Sequence, residues 1–250
     1  MSNVSLFALS GIPMVREGDD VGALVTEAIR ASGANVTDNT IVVVAQKIVS
    51  KAEGRAVRLD AVTPGDEAAA LADKTGKDPR LVQLILNESR RVVRQSGATL
   101  ITENKLGMIM ANAGIDQSNI DDGFALLLPE NPDTSARAIA ATIAKDLQVD
   151  LGIVIADSTG RPWRNGVVGI AIGVHGVPAV LDIRGAEDLH GRELTATQIG
   201  VADGIAAAAT LLMGQGSEGL PVVLVNGLEY ARTDSRASDL LRDPDSDLFR

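Results

Sequence analysis

Uninterrupted apolar runs limit how this chain can fold. The run TIVVVAQ, residues 40–46, is continuous and rich in β-branched side chains, which is typical of a strand buried on both faces. DLGIVIAD at 150–157 predicts a second buried strand, and LPVVLVNG at 220–227 predicts the last strand. None of these runs approaches the roughly 20 apolar residues that a membrane helix requires. The pattern therefore favours a soluble globular fold.

Capped amphipathic segments predict helices between the strands. Residues 19–33 place their apolar side chains on one face, with Asp19 or Asp20 as N-cap and Gly33 where a left-handed C-cap belongs. The other predicted helices span residues 64–76, 78–91 (with Asp78 as cap), 131–148 and 196–214, and further strands are predicted at 4–13, 91–95, 99–104, 107–114, 167–174 and 178–185.

The order of these elements predicts the fold class. Strands and helices do not alternate strictly, so a mixed α/β or α+β fold with antiparallel pairs is expected. A single domain spanning residues 1–250 is predicted, with a second lobe around the glycine-rich stretch 160–191. The charged segment 231–250 is expected to lie on the surface.

The composition narrows the class of protein. The chain has no cysteine, which removes disulfides, thiolate metal sites and cysteine nucleophiles. Its formal net charge of −10 argues against nonspecific nucleic-acid binding, which needs a basic surface. The N-terminus lacks the basic and apolar regions of a secretory signal, so a cytoplasmic enzyme is expected. An acidic enzyme with anionic substrates must gather its cations locally or recruit metal ions.

Two motifs suggest contacts with phosphate groups. GQGSEG at 214–219 has the spacing of the dinucleotide fingerprint, but it follows a predicted helix and precedes a strand, so it cannot present a helix N-terminus to pyrophosphate. It is either a loop with a glycine C-cap or a loop whose backbone amides approach phosphate. Lys47, Lys51 and Arg55 follow the buried strand at 40–46, and they form either a solvated loop or an anion site at the carboxyl end of that strand.

Oxygen-bearing side chains follow two other predicted strands. Asp116, Ser118 and Asn119 come after one of them, and Asp157 and Ser158 come at the end of the other. Such groups suit Mg²⁺ or Mn²⁺, but Asp, Asn and Ser also stabilise plain turns by bonding their own backbone. The sequence alone favours a turn at each place. The two histidines lie apart from any other type of ligand, which argues against a zinc site.

Five blocks of sequence, taken together, resemble one family. They are GIP at 11–13, VVVAQKIVSKAEGR at 42–55, LITENKLGMIMANAGIDQSNI at 100–120, ADSTGRPWRNG at 156–166 and GVADGIAAAATLLMGQGSEGLPVVLV at 200–225. In this order they resemble the coenzyme F-420:L-glutamate ligase family over roughly residues 5–230. The chain is similar to the stand-alone form of that family, which has no fused nitroreductase-like domain.

The resemblance implies a GTP- and divalent-metal-dependent ligase that adds γ-linked glutamate to a deazaflavin coenzyme precursor. The γ-phosphoryl group of GTP is expected to move to the terminal carboxylate of the precursor, and the amine of L-glutamate then attacks the acyl phosphate. The implied cofactors are two Mg²⁺ or Mn²⁺ ions, with K⁺ as a candidate further ion. The family's own mixed α/β fold and a homodimer with the active site near the subunit interface are implied as well.

Matching to the family's motifs implies roles for individual residues. Metal ligation is implied for Asp116, Asp157, Ser158 and Gln215, with the two aspartates bridging the ions. Nucleotide contacts are implied for Ile12, Pro13, Met14, Val15, Gln46, Lys47, Lys51, Asn119, Met213, Gly214, Gln215, Gly216, Ser217, Glu218, Gly219 and Leu220. Lys51, Asp116 and Asp157 are the expected catalytic residues. Lys51 either neutralises phosphate charge in the transition state or only binds the nucleotide.

Two other functions stay open on the sequence. A nicotinamide-dependent oxidoreductase would use GQGSEG to bind NAD(P), although the helix before that loop counts against it. A non-catalytic deazaflavin or nucleotide carrier would keep the fold alone, although the clustered carboxylates count against that reading. Arg161, Trp163 and Arg164 are candidates for lining the path of an anionic substrate.

Overall fold

The structure, a computed structural model, describes residues 3–247. Its α-helices are α1 (Val21–Ser32), α2 (Gln46–Ala52), α3 (Asp66–Thr75), α4 (Pro79–Asn87), α5 (Pro132–Leu147) and α6 (Val201–Met213). Its strands are β1 (Ser5–Leu9), β2 (Ile41–Ala45), β3 (Ala56–Arg58), β4 (Ser89–Ser96), β5 (Thr99–Asn104), β6 (Ile109–Ala111), β7 (Phe124–Leu126), β8 (Gly152–Arg161), β9 (Arg164–His175), β10 (Val180–Asp182), β11 (Gln198–Gly200) and β12 (Val222–Asn226).

A five-stranded mixed sheet forms the centre of the protein. Its strands lie in the spatial order β1, β12, β2, β8, β9. β2 and β8 are parallel, and each of the other neighbouring pairs is antiparallel. The predicted mixed α/β fold with antiparallel pairs is therefore confirmed.

Helices cover both faces of this sheet. Along β2, Val42 and Val44 pack in one core with side chains of α1 and α5, whereas Ile41 and Val43 pack in a second core with side chains of α6. Successive side chains of a strand point to opposite faces, so a sheet covered on both sides needs apolar residues at every position. The prediction of a strand buried on both faces is confirmed.

The helix caps explain where two helices begin and end. Asp20 caps α1 by accepting a hydrogen bond from the Ala23 amide, and Gly33 closes it in the left-handed conformation with φ of 64°. Asp78 caps α4 as predicted. The predicted extension of α4 to residue 91 is wrong, because residues 89–91 pair with β5 as the start of β4.

The polar segment after the second buried run is a strand and not a turn. β8 continues past Ala156 as far as Arg161 and forms a hairpin with β9. Asp157 lies inside this hairpin, opposite Ile170. Strand pairing satisfies the backbone of polar and apolar residues alike, so the change to polar residues marks where β8 leaves the core rather than where it ends.

Several short elements differ from the sequence expectation. Residues 46–52, predicted only as a basic segment, form α2, and α6 begins at Val201 because the residues before it form β11. The predicted strand at 107–114 is confined to β6. The strands β3, β7 and β11 have three residues each, which is too short for a periodic pattern to be detected.

A smaller unit lies beside the central sheet. β4, β5 and β6 form an antiparallel sheet, and a separate core that includes Ile85 and Leu100 joins it to α3 and α4. Most side chains in residues 231–247 are exposed, as predicted for the tail, and residues 248–250 lie outside the described range. The division into a domain and a second lobe at 160–191 stays a prediction. In the described range, the helices are all too short or too polar to span a membrane.

Candidate active site

A cleft opens at the carboxyl ends of the parallel strands β2 and β8. Ala45, the last residue of β2, lies beside Ala156, and Asp157 follows at the cleft floor. The loop after β1, the start of α2 and the loop between α6 and β12 supply the walls. The cleft volume is about 910 Å³, which is in the upper part of the range for small-molecule sites. Ligands of α/β sheets bind at this end of the strands.

The cleft brings together most of the residues singled out from the sequence. Its lining includes Ile12, Pro13, Met14, Val15, Gln46, Lys47, Lys51, Asn119, Asp157, Ser158, Met213, Gly214, Gln215, Gly216, Ser217, Gly219 and Leu220. Asp116 and Glu218 do not line it, although each contacts a residue that does. Their individual roles stay predictions. What the fold adds is that segments distant in the chain share one cavity.

Asp157 is the most perturbed acid of the cleft. Burial at the point where β8 leaves the core, together with the smaller effect of the nearby Asp116 charge, raises the pKa of its carboxyl to about 6. Hydrogen bonds from the Ser158 amide and from the Gln46 side chain oppose this shift. A bound cation would stabilise the ionised form of such a carboxylate, which is partly desolvated and has a second carboxylate nearby.

Asp116 is held in place by both its backbone and its carboxylate. Its amide and carbonyl exchange hydrogen bonds with Leu126 at 3.0 and 2.8 Å. Its carboxylate accepts bonds from the Ser118 amide and from Lys47 Nζ, both at 2.7 Å. Burial disfavours its charge, but these bonds outweigh burial and hold the pKa of Asp116 below the ordinary value. Asp116 therefore forms both the turn expected from the sequence and an ion pair with Lys47, a residue that lines the cleft.

Lys47 and Lys51 lie one turn apart on α2 and both face the cleft. Besides Asp116, Lys47 Nζ donates to Ser118 Oγ at 2.6 Å, while Lys51 Nζ donates to the Asn119 carbonyl at 2.7 Å. Partial burial, and then the charge of Lys47, lowers the pKa of Lys51. Lys51 forms no ion pair in the described part of the chain, so its charge is available to an anionic ligand.

Arg55 does not join the two lysines, and the predicted three-residue basic cluster is wrong in this respect. Its guanidinium bonds Glu88 at 2.9 Å and the Leu128 carbonyl at 3.0 Å. The backbone stays at the cleft, since Gly54 and Ala56 line it, but the contacts with Glu88 and Leu128 hold the Arg55 side chain outside the lining.

Gln46 is a buried residue that contacts Asp157 at the cleft floor. Only 3% of its surface is exposed, and its side-chain oxygen accepts a hydrogen bond from Ser50 Oγ at 2.8 Å. This bond fixes the amide orientation, so that the Gln46 nitrogen is the atom left to donate to Asp157. Gln46 is therefore a positioning residue for the Asp157 carboxylate.

The loop from Gly214 to Gly219 forms another wall, and we call it the glycine loop. Gly214 and Gly219 have positive φ angles of 73° and 66°, which favour glycine at both positions. The loop follows the C-terminal end of α6 and leads into β12, as the sequence indicated. It presents no helix N-terminus, so the geometry of a dinucleotide fingerprint is absent from it.

Comparison with known proteins identifies the family of this chain. The model of the F420-0:Gamma-glutamyl ligase family matches residues 11–227. The chain belongs to the F420-0:gamma-glutamyl ligase family. The suspected resemblance is confirmed, and the matched range contains every residue of the cleft lining.

Relatives within this gamma-glutamyl ligase family are similar over most or all of the chain. The Coenzyme F420:L-glutamate ligase of Methanothermobacter thermautotrophicus is 43% identical over 99% of both chains. The ligase of the same name from Methanopyrus kandleri is 42% identical over 100% of both, and that from Methanocaldococcus jannaschii is 44% identical over 86% of both. The chain is therefore an enzyme of the amide-bond-forming ligase class, and the oxidoreductase alternative loses its support.

The gamma-glutamyl ligase cleft also contains residues that the motifs did not mark. Arg16, Glu17 and Thr210 line it beside the predicted segments, and Asp121 lies near Lys51. Arg16 and Glu17 directly follow the segment at 12–15, so their closeness to a predicted nucleotide contact was the available signal. Arg161, Trp163 and Arg164 lie at the exposed end of the β8–β9 hairpin and not in the cleft lining.

Proposed function

We propose that this gamma-glutamyl ligase joins L-glutamate, through a γ-linked amide, to a deazaflavin coenzyme precursor at the expense of GTP. Family membership supports the reaction class. The observation that carries the proposal is the cleft itself, in which Lys47, Lys51 and Asp157 line a volume of about 910 Å³ and Asp116 pairs with Lys47 from just outside the lining. That volume is sufficient for a nucleotide next to an acceptor carboxylate.

Activation of the acceptor carboxylate explains why a nucleoside triphosphate is required. A carboxylate does not react with an amine, so one of its oxygens first attacks the γ-phosphorus of GTP and GDP leaves. The glutamate amine then attacks the acyl carbon, inorganic phosphate leaves, and the amine loses a proton to solvent. Phosphoryl transfer depends mainly on positioning and on neutralising charge.

The two lysines of α2 are the protein side chains that neutralise phosphate charge in this reaction. Lys51 has no ion-pair partner in the described residues, and we assign it to the phosphate oxygens whose charge must be neutralised during transfer. Lys47 bridges Asp116 and the nucleotide side of the cleft. Gln46 keeps the Asp157 carboxylate oriented toward the cleft.

The donor set fits a divalent cation of the Mg²⁺ type. Within residues 3–247, no three His, Cys, Asp or Glu side chains are close enough to bind a metal jointly. The candidates are two carboxylates, Asp116 and Asp157, with neutral oxygens from Ser158 and Gln215. Hard cations such as Mg²⁺ and Mn²⁺ accept a few carboxylates and complete their shell with water. Two such ions, when bound, would neutralise the charge of the transferred phosphoryl group.

The remaining parts of the proposal concern the assembly and the ions. We propose a homodimer with the cleft near the subunit interface, and K⁺ as a candidate further ion. Size-exclusion chromatography with light scattering tests the first, and turnover with K⁺ replaced by Na⁺ tests the second. A monomer at micromolar concentration, or equal turnover in the two salts, would contradict the respective part.

One assay tests the ligase proposal. The protein is incubated with the glutamate-free deazaflavin precursor, L-glutamate, GTP and Mg²⁺ or Mn²⁺. The expected result is a mass increase of one or more glutamyl units together with release of GDP. If precursor is bound but neither product nor GDP forms, the carrier alternative replaces the ligase. Parallel reactions with ATP establish the nucleotide preference.

A further inference from the structure

An internal carboxylate occupies the backbone amides of the glycine loop. Glu218 Oε2 accepts a hydrogen bond from the Gly216 amide at 2.8 Å. The backbone amides of Gln215 and of Glu218 itself also bond this carboxylate. Three amides of one loop therefore converge on one anion, which is the arrangement of an anion-binding nest.

The glycine at 214 leaves room for this carboxylate. A Cβ atom built on Gly214 would collide with the Glu218 carboxylate, so a side chain at 214 and the present position of Glu218 exclude each other. The seven other residues from Met213 to Leu220 line the cleft, whereas Glu218 does not. Its carboxylate thus closes the nest while the rest of the loop faces the ligand space.

A phosphate group and the Glu218 carboxylate need the same donors. Both are anions that accept charge-assisted hydrogen bonds from backbone amides. The loop follows the C-terminal end of α6, where the helix dipole disfavours an anion, so the amides are the main attraction that the loop offers. While Glu218 bonds these amides, a phosphate oxygen cannot.

We propose that Glu218 is an internal competitor for the anion site of the glycine loop, and that a phosphate group of the nucleotide displaces its carboxylate on binding. This inference rests on the proposed use of GTP. Because the nucleotide must displace the Glu218 carboxylate from the loop amides, Glu218 lowers the affinity for the nucleotide. Loss of its charge should strengthen phosphate binding, whereas loss of an ordinary ligand contact weakens it.

Binding of two probes to three proteins tests the inference. Dissociation constants of GTP and of inorganic triphosphate are measured by calorimetry for the wild type, Glu218→Gln and Glu17→Gln. Gln keeps the size of Glu218 but removes the charge, so binding of both probes to Glu218→Gln should be about three- to tenfold tighter, as expected when a charge-assisted bond is replaced by a neutral one. Glu17 also lines the cleft but, in the part of the chain that the structure describes, does not bond the loop amides, so Glu17→Gln controls for long-range repulsion.

Amide exchange gives a second, direct readout. In the ligand-free wild type, the Gly216 amide proton should exchange more slowly than in Glu218→Ala, and bound GTP should remove most of that difference. Unchanged protection of α6 shows that the variant remains folded.

Three outcomes would overturn the inference. They are equal or weaker phosphate binding in Glu218→Gln, an equal gain in Glu17→Gln, and Gly216 exchange that does not respond to Glu218→Ala. Each leaves the ligase proposal intact if the wild type still forms product with GTP. If no variant binds GTP or triphosphate and no GTP-dependent product forms, the ligase proposal fails together with this inference.

Discussion

The two ends of the parallel strand pair β2 and β8 are built in opposite ways. At the amino ends, Arg232 reaches back from the tail and donates to the Leu151 carbonyl at 2.9 Å and to the Asp38 carbonyl at 2.8 Å. It also pairs with Asp150 at 3.2 Å, and the space left there is about 20 Å³, enough for roughly one water molecule. At the carboxyl ends, Asp157 and Lys51 border a cleft of about 910 Å³.

The contrast separates structural polar groups from functional ones. At the closed end, each strong donor meets an acceptor of the protein, so the charges stabilise the fold. At the open end, burial raises the pKa of Asp157 and lowers that of Lys51, and Lys51 has no ion pair among the described residues. Perturbed ionisable groups in an open cleft are what a binding or catalytic site requires.

The largest expected effect is that of Asp157→Asn at the open end of β8. Asp150→Asn, at the closed end, is its matched control. Asp157→Asn should lower turnover at least about 100-fold, equivalent to about 2.7 kcal/mol of barrier, because the carboxylate that we propose as a metal ligand loses its charge. Asp150→Asn removes an exposed partner of Arg232 and should leave turnover within about twofold, since exposed ion pairs contribute little. Steady-state rates at saturating GTP and Mg²⁺ measure both. Comparable activity in the two variants would remove the distinction between the ends.

Lys51→Met should have the next largest effect. We expect turnover to fall about 30-fold, on the order of 2 kcal/mol, because the proposed contact between the Lys51 ammonium and the phosphate groups is lost. The affinity for GTP should fall less than turnover if Lys51 acts mainly on the transition state. Lys145→Met, at an exposed position of α5, is the matched control and should behave as the wild type. Equal losses in GTP affinity and in turnover would assign Lys51 to binding alone.

Arg232→Ala should affect stability without affecting chemistry. Removing the guanidinium takes a donor from three backbone carbonyls, those of Asp38, Asp150 and Leu151, which should lower the free energy of unfolding by about 1–2 kcal/mol. Urea denaturation measures this change, and turnover well below the melting temperature should stay near that of the wild type. A loss of turnover at such a temperature would show that the closed end contributes to the reaction.

The last prediction concerns pH and the metal-free protein. The pKa of Asp157 is about 6 in the folded state, above the ordinary carboxyl value of about 3.9, so between these values the folded protein binds more protons than the unfolded chain. Its contribution to stability is therefore present below about pH 4 and is lost as pH rises toward 6, at roughly 1 kcal/mol per pH unit.

Chelator-treated protein should show this loss, and Asp157→Asn should lack it. Added Mg²⁺ should reduce it, because a bound cation favours the ionised carboxylate. Thermal melts at several pH values compare the three cases. Identical pH profiles for the wild type and Asp157→Asn would contradict the assigned titration.

Strong local signals in the sequence predicted the fold class. Features that depend on pairing between distant segments could not be predicted. The apolar run at β2 and the caps of α1 were clear because burial on both faces and cap hydrogen bonds act within a few residues. The length of β8 could not be predicted, since its polar half is strand only because β9 pairs with it. The helical form of residues 46–52 was missed for a related reason, because contacts with other segments and not propensity dominate so short a helix.

The site was predictable by family and not by residue pattern. Asp116 alone favoured a turn, and its carboxylate does accept the Ser118 amide as a turn would. Only the fold brings Lys47 to within 2.7 Å of the same carboxylate. Arg55 shows the converse, because its place in a basic run suggested the cleft, while Glu88 and the Leu128 carbonyl hold its guanidinium elsewhere. The internal contact of Glu218 with the glycine loop has no signature in the sequence.

The transfer of oxygen from substrate to phosphate tests most directly whether the open end performs acyl phosphate chemistry. The deazaflavin precursor is labelled with ¹⁸O in its terminal carboxylate and turned over with unlabelled GTP and L-glutamate. Because a carboxylate oxygen becomes the bridging oxygen of the acyl phosphate and leaves with phosphorus, the released inorganic phosphate should carry one ¹⁸O atom per turnover. Product formed with phosphate that contains no ¹⁸O would contradict the mechanism.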